Sequence, residues 1–266
     1  MATVTAHFYE LLTLFFIILT HELGHALTAH YFSWRIKKVL LLPFGGVAEM
    51  DEHGNRPLME EFYVTIAGPF QHVILMVITF LLFESNIISP SFFTMFTQFN
   101  VMILIFNLLP IWPLDGGKLL QLALSTRLPF LIAYRLCLLC SFVFLIGLHV
   151  IVLLFAPTQL SIWIVLIYLY FSLWFDWKQV RYVFMRFLLE RYYGKKTNLS
   201  QLKPVYVDVG DMVSDVLEKF QRGYKHPLII SRHGEEIGKL DENEVLYACF
   251  AQRKLTAQVK DILYNV

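Results

Sequence analysis

The chain has 266 residues, 57% of them hydrophobic and 16% charged, with a mean hydropathy of +0.57. No ordinary water-soluble domain of this size needs so much apolar surface, so the composition excludes a soluble enzyme and places the chain in a bilayer. With 22 Lys+Arg against 21 Asp+Glu the net charge is +1, which excludes a basic field for nucleic acid and leaves only positional charge signals.

Five stretches are apolar enough for the roughly 30 Å hydrocarbon layer, which takes about 20 helical residues: 8–32, 62–83, 92–114, 132–156 and 158–176. No Lys or Arg precedes the first, and no convincing cleavage site follows it, so it reads as a permanent span rather than a signal peptide. It contains Glu22, and the third span is followed at once by Asp115; these acids need explaining. Between the first two spans, Val39-Leu-Leu-Leu-Pro-Phe-Gly-Gly-Val-Ala is too short to cross. Its Gly45-Gly46 turn predicts a membrane-dipping hairpin that either offers a strand edge to an extended substrate or is simply structural.

Lys and Arg near span ends stay on the cytoplasmic side. They occur after span one (Arg35, Lys37, Lys38, Arg56), after span three (Lys118, Arg127) and after span five (Lys178, Arg181, Arg186, Arg191), which predicts an outside N-terminus and a cytoplasmic C-terminus. Cys137, Cys140 and Cys249 form no disulfide framework, and the CxxC of Cys137 and Cys140, inside an apolar helix, reads as packing residues rather than a redox pair. His30, His72 and His149 likewise read as hydrogen-bonded packing residues, with His72 the least secure because it follows Gly68-Pro69. From about Asn198 charges return and elements shorten, predicting a small α+β module. The expected organisation is a membrane-embedded domain over 1–180, a basic juxtamembrane linker over 181–197 and a soluble domain over 198–266.

His21-Glu22-Leu23-Gly24-His25 is an HExxH motif. Four helical residues turn through about 400°, so the two imidazoles project from one face, one turn apart, and can share a metal ion. Glu22 lies about 100° round from His21, where it can reach a water on the metal without being a ligand. The motif is short, but its place in a membrane span decides its reading: an idle carboxylate there costs several kcal/mol. Zinc suits two imidazoles and a carboxylate with an open position. The third ligand is expected to be Asp115, in Asn107-Leu-Leu-Pro-Ile-Trp-Pro-Leu-Asp115-Gly-Gly, because Pro110 and Pro113 interrupt a helix and can aim Asp115 back at the site. An N-cap at the interface is the alternative. The predicted chemistry is peptide hydrolysis, with Glu22 as the base, reached through a cavity on the cytoplasmic side. The rival classes are a metal or ion transporter using the same His and Asp residues, and a catalytically dead scaffold.

HELGH in one span with NxxPxxPLDG in a later one resembles the site-2 protease family of intramembrane zinc metalloproteases. Ser33-Trp-Arg-Ile-Lys-Lys, Leu42-Pro-Phe-Gly-Gly, Glu52-His-Gly-Asn-Arg-Pro, Pro110-Ile-Trp-Pro-Leu-Asp-Gly-Gly-Lys and Phe187-Leu-Leu-Glu-Arg-Tyr-Tyr-Gly are similar to its sporulation branch, which processes pro-sigma-K. The resemblance implies zinc on His21, His25 and Asp115, with Glu22 as catalytic acid/base. It also implies that Asn107 is a substrate or transition-state contact; Pro110 and the hairpin glycines Gly45 and Gly46 are further candidate substrate contacts. The fold it implies is a polytopic α-helical membrane protein with a CBS-like cytoplasmic domain that binds ATP; the module contains no Gly-rich phosphate loop of its own. Implied partners are a membrane-associated pro-sigma factor, membrane inhibitor proteins and a second copy of the chain, in the membrane around the forespore. The branch has six spans, one ahead of the HExxH helix; either the true start lies upstream of Met1 or this chain manages with five.

Overall fold

The computed structural model describes residues 2–34, 36–42, 45–50, 56–194, 201–232 and 235–263. In chain order the elements are α1 (Ala2–Tyr31), β1 (Ile36–Leu42), β2 (Gly45–Met50), α2 (Leu58–Glu84), α3 (Pro90–Asn107), α4 (Asp115–Ser125), α5 (Phe130–Phe155), α6 (Leu160–Tyr193), β3 (Gln201–Leu202), β4 (Val205–Asp208), α7 (Val213–Glu218), β5 (Tyr224–Lys225), β6 (Leu228–Arg232), β7 (Glu235–Leu240), α8 (Glu242–Phe250) and α9 (Lys260–Leu263). They form two compact units, one of 1–52, 59–120 and 138–174, the other of 53–58, 121–137 and 175–266.

Among the described residues, four helices are long and apolar enough to cross a membrane: Phe8–Tyr31 within α1, α2, α5 and α6. The chain is therefore a polytopic helical membrane protein, with one correction to the five expected spans. The stretch 92–114 is helical only as far as Asn107. Eighteen residues at 1.5 Å each give about 27 Å, short of the roughly 30 Å layer, and the helix carries Gln98 and Asn100.

In the first unit, α1, α2 and α3 meet around Ile17, Leu75 and Phe96. Closer to the end of α1, Ala29, Trp34 and Val64 pack together, and the Trp34 indole donates to Glu60 Oε2 at 3.2 Å, tying the start of α2 to the end of α1. The two helices approach closely at Gly24, where a Cβ would stand 2.7 Å from the Ala67 carbonyl oxygen. β1 and β2 pair antiparallel and lie against α1. Gly45 and Gly46 are not the turn of this hairpin: they belong to β2, opposite Leu42 and Leu41. Pro43 and Phe44, between the two strands in the sequence, lie outside the described residues.

In the second unit, β4 runs parallel to β6 and β6 antiparallel to β7. Alternating inward residues Val205, Val207, Leu228 and Ile230 meet Val216, Leu217 and Phe220 from the α7 side and Val245 and Leu246 from α8. Glu244 reaches back to the Asp241 N–H at 2.8 Å and caps α8. The turn expected at His233-Gly234 lies outside the described residues. This core also takes in helix ends from the apolar part of the chain. Phe130 at the start of α5 stacks on Phe187 of α6 with centroids 4.2 Å apart, and the Gln221 amide donates to the Thr126 carbonyl at 2.9 Å. Residues 181–193, expected as a linker, are the last part of α6, where Arg186 and Glu190 pair one turn apart at 3.3 Å.

Arg191 and Glu242, both nearly fully buried, form a two-pronged ion pair at 2.6 and 2.9 Å. Arg191 also donates to the Gln221 and Tyr224 carbonyls. Glu242 accepts from the His226 backbone N–H at 2.7 Å. His226 is buried too: its ring sits between the Gln221 N–H at 2.8 Å and the Lys203 carbonyl at 2.9 Å. Burial pushes its pKa below the ordinary histidine value.

Candidate metal centre

Regular helix geometry places His21 and His25 one turn apart on α1, and their Nε2 atoms stand 3.1 Å apart. Asp115 is the first residue of α4, and its Oδ2 lies 3.1 Å from His21 Nε2 and 3.0 Å from His25 Nε2. All three side chains are buried, and one donor atom from each falls within 4.8 Å of the others. Donors held at 2.0–2.1 Å from a tetrahedral ion are about 3.3 Å apart, so these spacings fit one zinc ion with a small adjustment. Two imidazoles and one carboxylate are the kind of three-ligand donor set that catalytic rather than structural zinc sites use.

Local sequence explains how Asp115 arrives there. Leu108–Leu114 fold back along the first turn of α4, with Ile111 fully buried and the Trp112 N–H donating to Ser141 Oγ at 3.0 Å. Gly116 and Gly117 permit that approach. A Cβ at Gly116 would overlap the Leu108 and Leu109 carbonyls, and one at Gly117 would stand 2.5 Å from the Trp112 nitrogen. Lys118, one turn on, donates to Asp115 Oδ1 at 3.0 Å, so each carboxylate oxygen has its own direction. Gly68 on α2 faces the imidazoles so closely that a Cβ there would overlap His25 Nε2.

The outer nitrogens of the imidazoles are also engaged. His25 Nδ1–H donates to the Val64 carbonyl at 2.7 Å, which leaves its Nε2 bare. His21 Nδ1 is 3.0 Å from His72 Nε2, and His72 Nδ1 is 3.1 Å from Asn100 Oδ1. Sequence reasoning took His72 as packing and passed over Asn100; the available signal was the cost of two hydrogen-bonding side chains in apolar helices. His149 does pack, edge-on to Trp163, but its Nδ1 has no hydrogen-bond partner among the described residues, and His30 is exposed.

Glu22 is buried beside the cluster and has no hydrogen-bond partner among the described residues. Asn107 ends α3 and Pro110 lies in the segment leading to Asp115, both half-buried; Gly45 and Gly46 sit in β2.

A model of peptidase family M50 matches residues 9–89 and 82–148, which include every member of the cluster. The chain belongs to peptidase family M50. Over 259 residues it is 50% identical to stage IV sporulation protein FB of Bacillus subtilis, covering 97% of this chain and 90% of that protein. A zinc metalloprotease of Methanocaldococcus jannaschii is 36% identical over 121 residues, 44% of this chain and 35% of its own length. The solved site-2 protease from the same archaeon superposes with a TM-score of 0.50 at 30% identity, over 61% of this chain and 74% of that one. This M50 member is thus an intramembrane zinc metalloprotease of the site-2 type. The transport reading has no counterpart among these relatives.

Proposed function

We propose that His21, His25 and Asp115 hold the catalytic zinc and that Glu22 is the general base and acid of peptide hydrolysis. The observation that supports this most is the convergence of three buried donor atoms within 4.8 Å, with the buried Glu22 carboxylate next to His21 in the chain. Zinc, when bound, supplies Lewis acidity that polarises the scissile carbonyl and acidifies water. Glu22 takes the proton of the attacking water and delivers it to the leaving amine, a contribution of about 10²–10⁴ in rate. Val64 orients His25, and Lys118 holds the second oxygen of Asp115 so that the first stays turned to the imidazoles. Asn107 and Pro110, on the approach to Asp115, and the β2 edge at Gly45 and Gly46 line up the extended substrate.

The substrate in this reading is a membrane-associated pro-sigma factor of the pro-sigma-K kind, processed during sporulation in the membrane around the forespore. The near full-length likeness to stage IV sporulation protein FB supports that assignment. Lys178, Arg181, Arg186 and Arg191 in the last part of α6 favour a cytoplasmic C-terminus. The second unit, with the order β4, α7, β5, β6, β7, α8, is in this reading CBS-like, with inhibitor proteins or a second copy as its partners. ATP is the ligand such a unit would take, and a flat calorimetric titration of the purified protein with ATP would remove that part. The central test is Glu22→Gln: cleavage of co-expressed pro-sigma factor should vanish while bound zinc persists. Cleavage at the wild-type rate overturns the assignment.

A further inference from the structure

Two buried polar side chains take no part in the reaction outlined above: His72 on α2 and Asn100 on α3, both fully buried. Their hydrogen bonds run in series. Asn100 Nδ2 is 3.0 Å from the Phe96 carbonyl oxygen, Asn100 Oδ1 is 3.1 Å from His72 Nδ1, and His72 Nε2 is 3.0 Å from His21 Nδ1. A backbone carbonyl only accepts, so Asn100 must turn its NH₂ towards Phe96 and its oxygen towards His72. That oxygen also only accepts, so His72 carries its proton on Nδ1 and presents a bare Nε2. His21 must then be protonated on Nδ1. Its Nε2 is left bare on the side where His25 Nε2 and Asp115 Oδ2 both stand at 3.1 Å. Each link has one permitted direction, set by a main-chain oxygen one helix turn from Asn100.

We propose that His72 and Asn100 are positioning residues that lock His21 into the one tautomer and ring orientation able to ligate zinc. The inference rests on the reading of His21 as a zinc ligand. A ligating imidazole needs an acceptor for its other N–H, and loss of such a partner costs about 10–100-fold in metal affinity. His25 finds its acceptor in the Val64 backbone; His21 is served by a side chain from a neighbouring helix, itself held by a third. The series also satisfies both His72 and Asn100, each expensive to leave unbonded in an apolar bundle.

Zinc dissociation constants of the purified full-length protein, measured by competition with a chromophoric chelator, test this independently of proteolysis. His72→Leu should bind zinc about 10–100-fold more weakly than wild type. His72→Gln, which offers an oxygen to His21 and an NH₂ to Asn100, should recover most of the affinity. A merely structural role predicts the reverse order, because Leu suits an apolar helix better than Gln. Wild-type affinity in His72→Leu overturns the proposal. His21→Ala that binds as tightly as wild type would instead overturn the ligand assignment beneath it. Should His72→Leu fail to fold, Asn100→Leu tests the next link: it removes the acceptor that fixes the His72 tautomer, weaker zinc binding is expected, and unchanged binding overturns the proposal.

Discussion

Adding one methyl group at Gly68 should disable the enzyme without removing any polar atom. A Cβ there stands 2.8 Å from His21 Cε1, about 0.6 Å inside ordinary contact, and overlaps His25 Nε2 more severely. Parting the helices to make room would loosen the packing of α1 on α2 around Ile17, Leu75 and Phe96. The His25 imidazole must therefore move, by something near an ångström. Misplacing a reacting group by about 1 Å costs on the order of 10²-fold in rate, or about 2.7 kcal/mol of barrier. Gly68→Ala should accordingly lose most cleavage of a co-expressed substrate and lower zinc per molecule of purified protein. Gly147→Ala is the control. It makes the same change in α5 where nothing lies within 4 Å, so it should leave cleavage and zinc intact and gain about 0.5–1 kcal/mol of helix stability. Full activity and full zinc in Gly68→Ala would refute the packing argument.

Asp115→Asn should lower zinc occupancy sharply in metal analysis of the purified protein, since an amide is a poor substitute for a charged ligand; unchanged zinc would remove Asp115 from the site. Arg191→Met strands the Glu242 carboxylate inside the second unit and should cost about 3–5 kcal/mol of its stability, read by chemical unfolding and eased in the double variant with Glu242→Gln. Burial disfavours the charged form of His226. Its pKa is lowered in the folded protein, so its contribution to stability is complete above about pH 6.5 and declines as acidification protonates the unfolded chain first. Thermal unfolding between pH 7.5 and 5.5 should show this loss, and His226→Gln should flatten it.

The HExxH pair was legible because an α-helix converts a spacing of four into a shared face without help from tertiary structure. Asp115 was legible for a different reason: prolines and glycines clustered next to an acid in an apolar run have few other uses. What the chain order could not reveal was the meeting of α1, α2 and α3, which joins His21 to His72 and Asn100 across 51 and 28 residues. The third span was overestimated because hydropathy counts Leu108 to Leu114 as continuous, whereas the backbone turns there to deliver the carboxylate. Composition also drew the soluble module too small, since Phe130 and Phe187 look like membrane residues until they are seen stacked in its core.

The hydrogen-bond series behind His21 ends on the Phe96 carbonyl, an oxygen that holds no proton and cannot pass one on. A catalytic cycle that takes up one water per peptide bond has to move protons, and this route is a cul-de-sac. Behind His25 the same is true at Val64. Both imidazoles are therefore insulated at the back, so in the proposed reaction protons have to move on the side of the cluster that faces away from these two carbonyls.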